Sequence, residues 1–148
     1  MEVKFSVPGV PRPQGSKRHV GGGRMIEQVK GLGDWRARVS LAAEQAAGEA
    51  PLIDGPVHLQ ARFFFERPKS HYGSGRNAGV LKAGAPCYPK SPPDLSKLVR
   101  AVEDAMTGIV YVDDARIVDL SGTCKLYRSP PGAEITVNDL TPAAPAPA

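Results

Sequence analysis

The chain has 148 residues, enough for one domain with its own core. Hydrophobic content of 41% and charged content of 23% are ordinary for a globular protein, no apolar run is long enough to cross a bilayer, and residues 1–10 lack the apolar core of a signal peptide, so a cytoplasmic protein is expected. The net charge of +4 is unevenly spread: residues 1–38 carry eight Lys or Arg against three acids, residues 60–92 carry six against one, and the rest is acidic on balance, which favours a polyanion partner.

Residues 2–7 alternate, with Val3, Phe5 and Val7 on one face, and predict a half-buried strand. Residues 8–23 mix Gly, Pro and basic side chains and predict a loop from which Arg12, Lys17, Arg18 and His19 project toward phosphates or solvent. Residues 34–49 predict a helix, with Asp34 as N-cap and with Trp35, Val39, Ala42, Ala43 and Ala46 at helical spacing. Trp35 lies on the apolar stripe, so it reads as a core anchor rather than a platform for a base. Residues 51–56 predict a turn and 57–66 a strand, with Phe64 facing away from Val57, Leu59, Ala61, Phe63 and Phe65. His58, on the polar face, has no second ligand at short spacing.

Residues 67–91 are long for a loop and rich in Gly, Pro and cations, which marks them as functional or disordered. Their glycines precede no helix and no Lys-Ser/Thr pair, so no nucleotide cofactor is expected. His71, Tyr72, Arg76, Lys82, Tyr88 and Lys90 interleave cations with rings, a composition suited to a DNA backbone or an exposed base. Cys87 and Cys124 sit in no C-x-x-C pair, which argues against zinc.

The informative stretch spans residues 92–120, PPDLSKLVRAVEDAMTGIVYVDDARIVDL. A helix starts near Pro93 and Asp94, with Leu95, Leu98, Val99, Val102, Ala105 and Met106 as its apolar stripe. Ser96, Arg100, Glu103 and Thr107 align on another side, flanked by Lys97 and Asp104. Gly108 ends the helix. Residues 109–112 predict a short buried strand running into Asp113 and Asp114. The tight connection is expected to return that strand toward the helix's N-terminal half, so that Asp94 and Asp114 meet around one ion. A hard cation needs only two or three carboxylates. Without more, D-x-S and DD equally describe an N-cap and a turn. Residues 116–127 predict a strand bulged at Gly122, 129–132 a turn, 133–140 a last strand, and 141–148 a disordered Pro/Ala tail after a single domain over 1–140.

The stretch resembles the RusA family of Holliday junction resolvases, found in bacteria and their phages. That family carries D-x-D-N-L-x-K-x-x-x-D-A-L, then a hydrophobic strand ending in D-D. The close match covers about a fifth of the chain, and the order of the flanking elements agrees with the family's βαββαβ architecture. The resemblance implies a single α+β domain with a mixed sheet and two helices, assembling as a homodimer. It implies Mg²⁺-dependent (or Mn²⁺-dependent) hydrolysis of phosphodiesters in four-way DNA junctions. By position, Asp94 matches the first aspartate, Asp104 the one after the lysine, and Asp113 and Asp114 the closing pair, with Asp114 at the essential place.

Asp94, Asp113 and Asp114 are thus the implied metal ligands, and Asp94, Asp114 and Arg100 the implied catalytic set. Lys17, Arg18, Arg76, Lys82 and Lys97 are the candidate DNA contacts. Three positions depart from the motif: Ser96 for aspartate, Lys97 for asparagine and Arg100 for lysine. Arg100 keeps the charge but cannot give up a proton. Ser96 removes a charged ligand. Either Glu103, two turns on, restores a carboxylate, with Asp104 as a further helper, or the site is degraded and the protein binds branched DNA without cutting. Glu103, Arg100 and Asp104 read equally as surface ion pairs.

Overall fold

The structure, a computed structural model, describes residues 1–15 and 30–143 in full, and between them the backbone of residues 17–19 and 25–27. Strand β1 (Glu2–Pro8) buries Val3 and Val7, as its alternation predicts. Inside the segment read as one loop, β2 (Lys17–His19) and β3 (Met25–Glu27) pair antiparallel as a two-stranded ribbon. The side chains of Lys17 and Arg18 lie outside the described residues.

Helix α1 (Leu32–Ala47) buries Leu32, Trp35, Val39 and Ala43. Its N-cap is Gly31, not the expected Asp34. Gly31 has φ +81°, a left-handed conformation that glycine adopts without penalty, so the helix starts earlier than the side-chain signal suggests. Asp34 instead lies in the first turn, where it pairs with Arg38 at 3.1 Å.

Strand β4 (Val57–Phe65) is the centre of the sheet. It pairs antiparallel with β7 (Gly132–Asp139), which pairs antiparallel with β1. On its other side β4 pairs parallel with β5 (Ile117–Asp119) and β6 (Cys124–Tyr127). The mixed sheet follows from chain path: a parallel neighbour needs a crossover, and helix α2 (Leu95–Met106) lies in that crossover. The single strand expected over 116–127 is broken in two. Residues 117–124 span the stretch that 57–62 cover on β4, so the edge carries surplus residues that turn out at 120–123. Gly122 makes that turn with φ +85°, and a Cβ there would meet the Gln60 side chain.

One sheet face, built from Val3, Val7, Val57, Leu59, Ala61, Phe63, Ala133, Ile135 and Val137, forms the core with both helices. Helix α2 buries Leu98, Val99, Ala101, Val102, Ala105 and Met106. Gly108 (φ +80°) follows its last turn, as expected. The strand expected at 109–112 is absent. Gly108 N–H donates to the Tyr111 carbonyl at 2.9 Å, closing a tight turn, and only Tyr111 makes a bridge to Ile53. Residues 141–143 are irregular; the rest of the tail lies outside the described residues. Both cysteines are free, and among the described residues no helix is long and apolar enough to cross a membrane.

Candidate active site at the C-terminal end of the second helix

The acids after Tyr111 are positioned from the helix itself. Tyr111 is fully buried, and its hydroxyl donates to the Glu103 carbonyl at 2.8 Å. Burial, first, and then the negative charge of Glu103 hold that hydroxyl firmly protonated. This contact fixes the chain beside the last turns of α2. Asp113 then caps the 3₁₀ turn Asp114–Arg116, its Oδ1 accepting from Ala115 N–H at 2.9 Å.

The two aspartates divide their roles. The Ala115 amide, and then the hydrogen bond shared with Asp114, hold Asp113 below the usual carboxylate range. That shared hydrogen bond pushes Asp114 up, helped by desolvation and by the charges of Asp113 and Asp104. The pair therefore titrates as a unit. Glu103 is half-buried, and its pKa is raised by desolvation first, then by Asp114 and Asp104, with Arg100 opposing. Glu103 thus feels the charges of Asp114 and Asp104, and Asp114 those of Asp113 and Asp104, across this end of α2. Arg116, two residues on from Asp114, lowers Asp113 only as the least of its influences, because its guanidinium is engaged elsewhere. It makes a forked contact with Asp54, Nη2 to Oδ1 at 2.7 Å and Nε to the Asp54 carbonyl at 2.8 Å.

Ser96, Arg100 and Glu103 share one groove with Leu95, Val99, Leu120 and Thr123. Its volume is about 440 Å³. Three of the four residues aligned in the sequence, all but Thr107, therefore line one groove, and its far wall is the 120–123 turn. Asp94 is elsewhere. It is the N-cap residue of α2, nine positions before Glu103, which is about 13 Å along the axis. Its carboxylate pairs with Lys97 at 3.8 Å. It lines a different cleft, of about 740 Å³, together with Arg12, Lys30, Lys97 and Phe65.

The expected meeting of Asp94 with Asp114 is therefore not what the chain forms. The return after Gly108 reaches the Glu103–Asp104 turn and goes no further, because a turn closed by Tyr111 replaces the expected strand. Among the described residues, no three His, Cys, Asp or Glu side chains stand close enough to hold an ion by themselves. Arg76 and Lys82 sit together on the segment after β4, both exposed, Arg76 in a 3₁₀ turn. Sequence reasoning missed Tyr111 as the post under Glu103, and Leu120 and Thr123 as groove wall. The turn that places them depends on the β4 register, which no local pattern encodes.

The chain matches the profile of the family described as Endodeoxyribonuclease RusA over residues 7–138. It is also similar to a Bacillus subtilis (strain 168) protein named Uncharacterized protein YqaN, with 31% identity over 143 residues, 94% of this chain and 97% of that one. The matched span runs from β1 to β7 and takes in the helix, the groove and the paired aspartates, so this chain belongs to the RusA endodeoxyribonuclease family.

Proposed function

We propose that the protein is a structure-selective endonuclease that resolves four-way DNA junctions by paired, Mg²⁺-dependent cuts. The single observation that carries this reading is that Glu103, its proton affinity raised by burial and by the charges of Asp114 and Asp104, lines the groove that holds Arg100, in a chain of an endodeoxyribonuclease family. The donor set fits a hard cation. It is all oxygen, and its mutual repulsion is what a cation would relieve. Magnesium is commonly held by one or two carboxylates, with water and substrate phosphate completing its shell. Asp114 with Asp113 or Glu103 meets that need without a three-acid cage. Mn²⁺ fits the same donors.

When bound, the ion supplies polarisation of a phosphoryl oxygen and an activated water. The chain's own residues do the rest. Glu103 supplies from the groove wall the carboxylate that Ser96 lacks. Arg100, one turn earlier, binds the phosphate and stabilises charge developing on it, while keeping its own proton. Lys97, Arg76 and Lys82, with Lys17 and Arg18, bind the DNA backbone. Asp94, in the Lys97 cleft, orients that lysine rather than joining the ion. Two copies about a two-fold axis match the symmetry of a four-way junction and give the two cuts.

Two features favour a second reading, a branched-DNA-binding protein that does not cut: Ser96 stands where the family has an aspartate, and, among the described residues, no three acids converge. One assay separates the readings. A synthetic four-way junction incubated with the protein and Mg²⁺ or Mn²⁺ should give paired nicks, and Asp114→Asn should stop the nicking while leaving binding intact. Tight binding without nicks under either metal would establish the second reading.

A further inference from the structure

We infer that the segment after β4 is a hydrogen-bonded finger whose exposed apolar pair, Val80 and Leu81, on the arm that leaves the 74–79 turn, wedges between stacked bases where a DNA junction opens. The inference rests on the junction reading above and adds to it the element that senses the branch.

The segment is built, not loose. Gly73 N–H donates to the Val80 carbonyl and Lys82 N–H to the His71 carbonyl, both at 2.9 Å, and Tyr72 bridges Leu81 antiparallel. Two 3₁₀ turns, Lys69–His71 and Gly75–Asn77, complete it, and neither buries a residue. Its base is locked to β6. The Arg67 guanidinium donates to the Pro86 carbonyl at 2.7 Å and lies 5.3 Å from the Tyr127 ring centroid. His71 meets the same ring edge-on at 4.9 Å, and Tyr127 N–H donates to the Cys87 carbonyl at 3.0 Å. The finger is thus held at its root and free of packing at its tip.

The chemistry of this arm selects the partner. Val80 is 56% exposed and Leu81 48%. Val80 lies in the bend that follows Gly79 (φ +84°) and Leu81 in the bridge to Tyr72, so the two exposed apolar side chains stand next to each other just after the turn. Residues 67–93 contain five Lys or Arg and no acid. Among the described residues, Lys69, Arg76 and Lys82 form no ion pair. An exposed apolar pair between unpaired cations fits a duplex opened at one step: the cations bind phosphates, and the aliphatic side chains take the place of the neighbouring base. A protein partner fits less well, since it would have to bring acids for every cation around a very small apolar patch.

The test uses a four-way junction carrying 2-aminopurine beside the branch point, and a linear duplex with the same label, with Ca²⁺ replacing Mg²⁺ to suppress cutting. Saturating protein should raise the junction's fluorescence several-fold and leave the duplex unchanged. Val80→Ser with Leu81→Ser should bind the junction within about threefold of the parent affinity and lose most of the rise. Arg76→Ala with Lys82→Ala should weaken binding about tenfold yet give the full rise at saturation. The wedge is overturned if the parent saturates the junction without a rise, or if the serine variant keeps the full rise. It is equally overturned if that variant changes the sedimentation of the DNA-free protein, which would make the apolar pair a protein contact. A parent that binds junction and duplex alike removes the junction reading itself, a result distinct from the others.

Discussion

Glu103 shows at one residue how neighbouring acids oppose stability. Burial and neighbouring carboxylates raise its proton affinity in the folded chain. Below the unfolded pKa both states carry the proton, and Glu103 has no effect on stability. As the pH rises, the unfolded chain loses the proton first, so stability falls through that window and stays lower above it. Glu103→Gln removes this penalty. In metal-free buffer the variant should melt higher than the parent at pH 8 and at the same temperature at pH 4. Adding Mg²⁺ should raise the parent's melting temperature more than the variant's, and junction cleavage by the variant should fall. A variant that melts lower at pH 8 would show that Glu103 is held by contacts that outweigh the repulsion, and unchanged cleavage would remove it from the ion's ligands. Tyr111 supports the same place. Tyr111→Phe loses one hydrogen bond to a carbonyl that Thr107 also reaches, so it should cost about 1 kcal/mol in urea unfolding.

At the scale of elements, α2 is the most legible part of the sequence. Its stripe of Leu98, Val99, Val102, Ala105 and Met106 is buried as the spacing demands, and Gly108 follows its end. Leu98→Ala should accordingly cost about 2–5 kcal/mol, read from the denaturation midpoint at constant slope. β1, β4 and β7 are legible for the same reason: one face is core, so period two is enforced. The errors fall where tertiary partners, not local chemistry, decide the backbone. The β2–β3 ribbon lies in a Gly-rich segment with no apolar alternation. The split of 116–127 depends on surplus residues against β4. Residues 109–112 are apolar enough for a strand, yet the buried Tyr111 side chain claims a helix carbonyl and turns the chain. That last error is the one that misplaced the site. A returning strand would carry Asp114 toward Asp94, whereas a turn leaves it beside Glu103 and Asp104. Motif position singled out Asp113, Asp114 and Arg100, and helical alignment added Glu103; Glu103 shares a groove with Arg100 and feels the charge of Asp114, but pairing Asp94 with them required a path the chain does not take.

At the scale of the whole molecule, the acids around Asp114 and the cations of the Lys97 cleft and the finger lie toward opposite ends of β4. β4 runs eight residue steps from Val57 to Phe65, about 26 Å. The Ile53–Tyr111 bridge and the four carboxylates lie near its start, whereas the cleft with Arg12, Lys30 and Lys97 and the finger with Arg76 and Lys82 lie at its end. A DNA arm held at the basic end can therefore be gripped without its phosphates crowding the acids, and Arg100 lies between the two. The grip and the cut should then be separable in salt. Every cation withdrawn from a phosphate reduces the steepness of log affinity against log salt by about 0.9. Arg76→Ala with Lys82→Ala should flatten that slope by about two between 50 and 200 mM salt in a fluorescence-anisotropy titration of the junction with Ca²⁺. Asp114→Asn should leave the slope unchanged while abolishing cleavage in Mg²⁺. If the Arg76/Lys82 variant kept the parent slope, those two cations would not be touching phosphate, and the grip would have to be reassigned to the Arg12, Lys30 and Lys97 cleft alone.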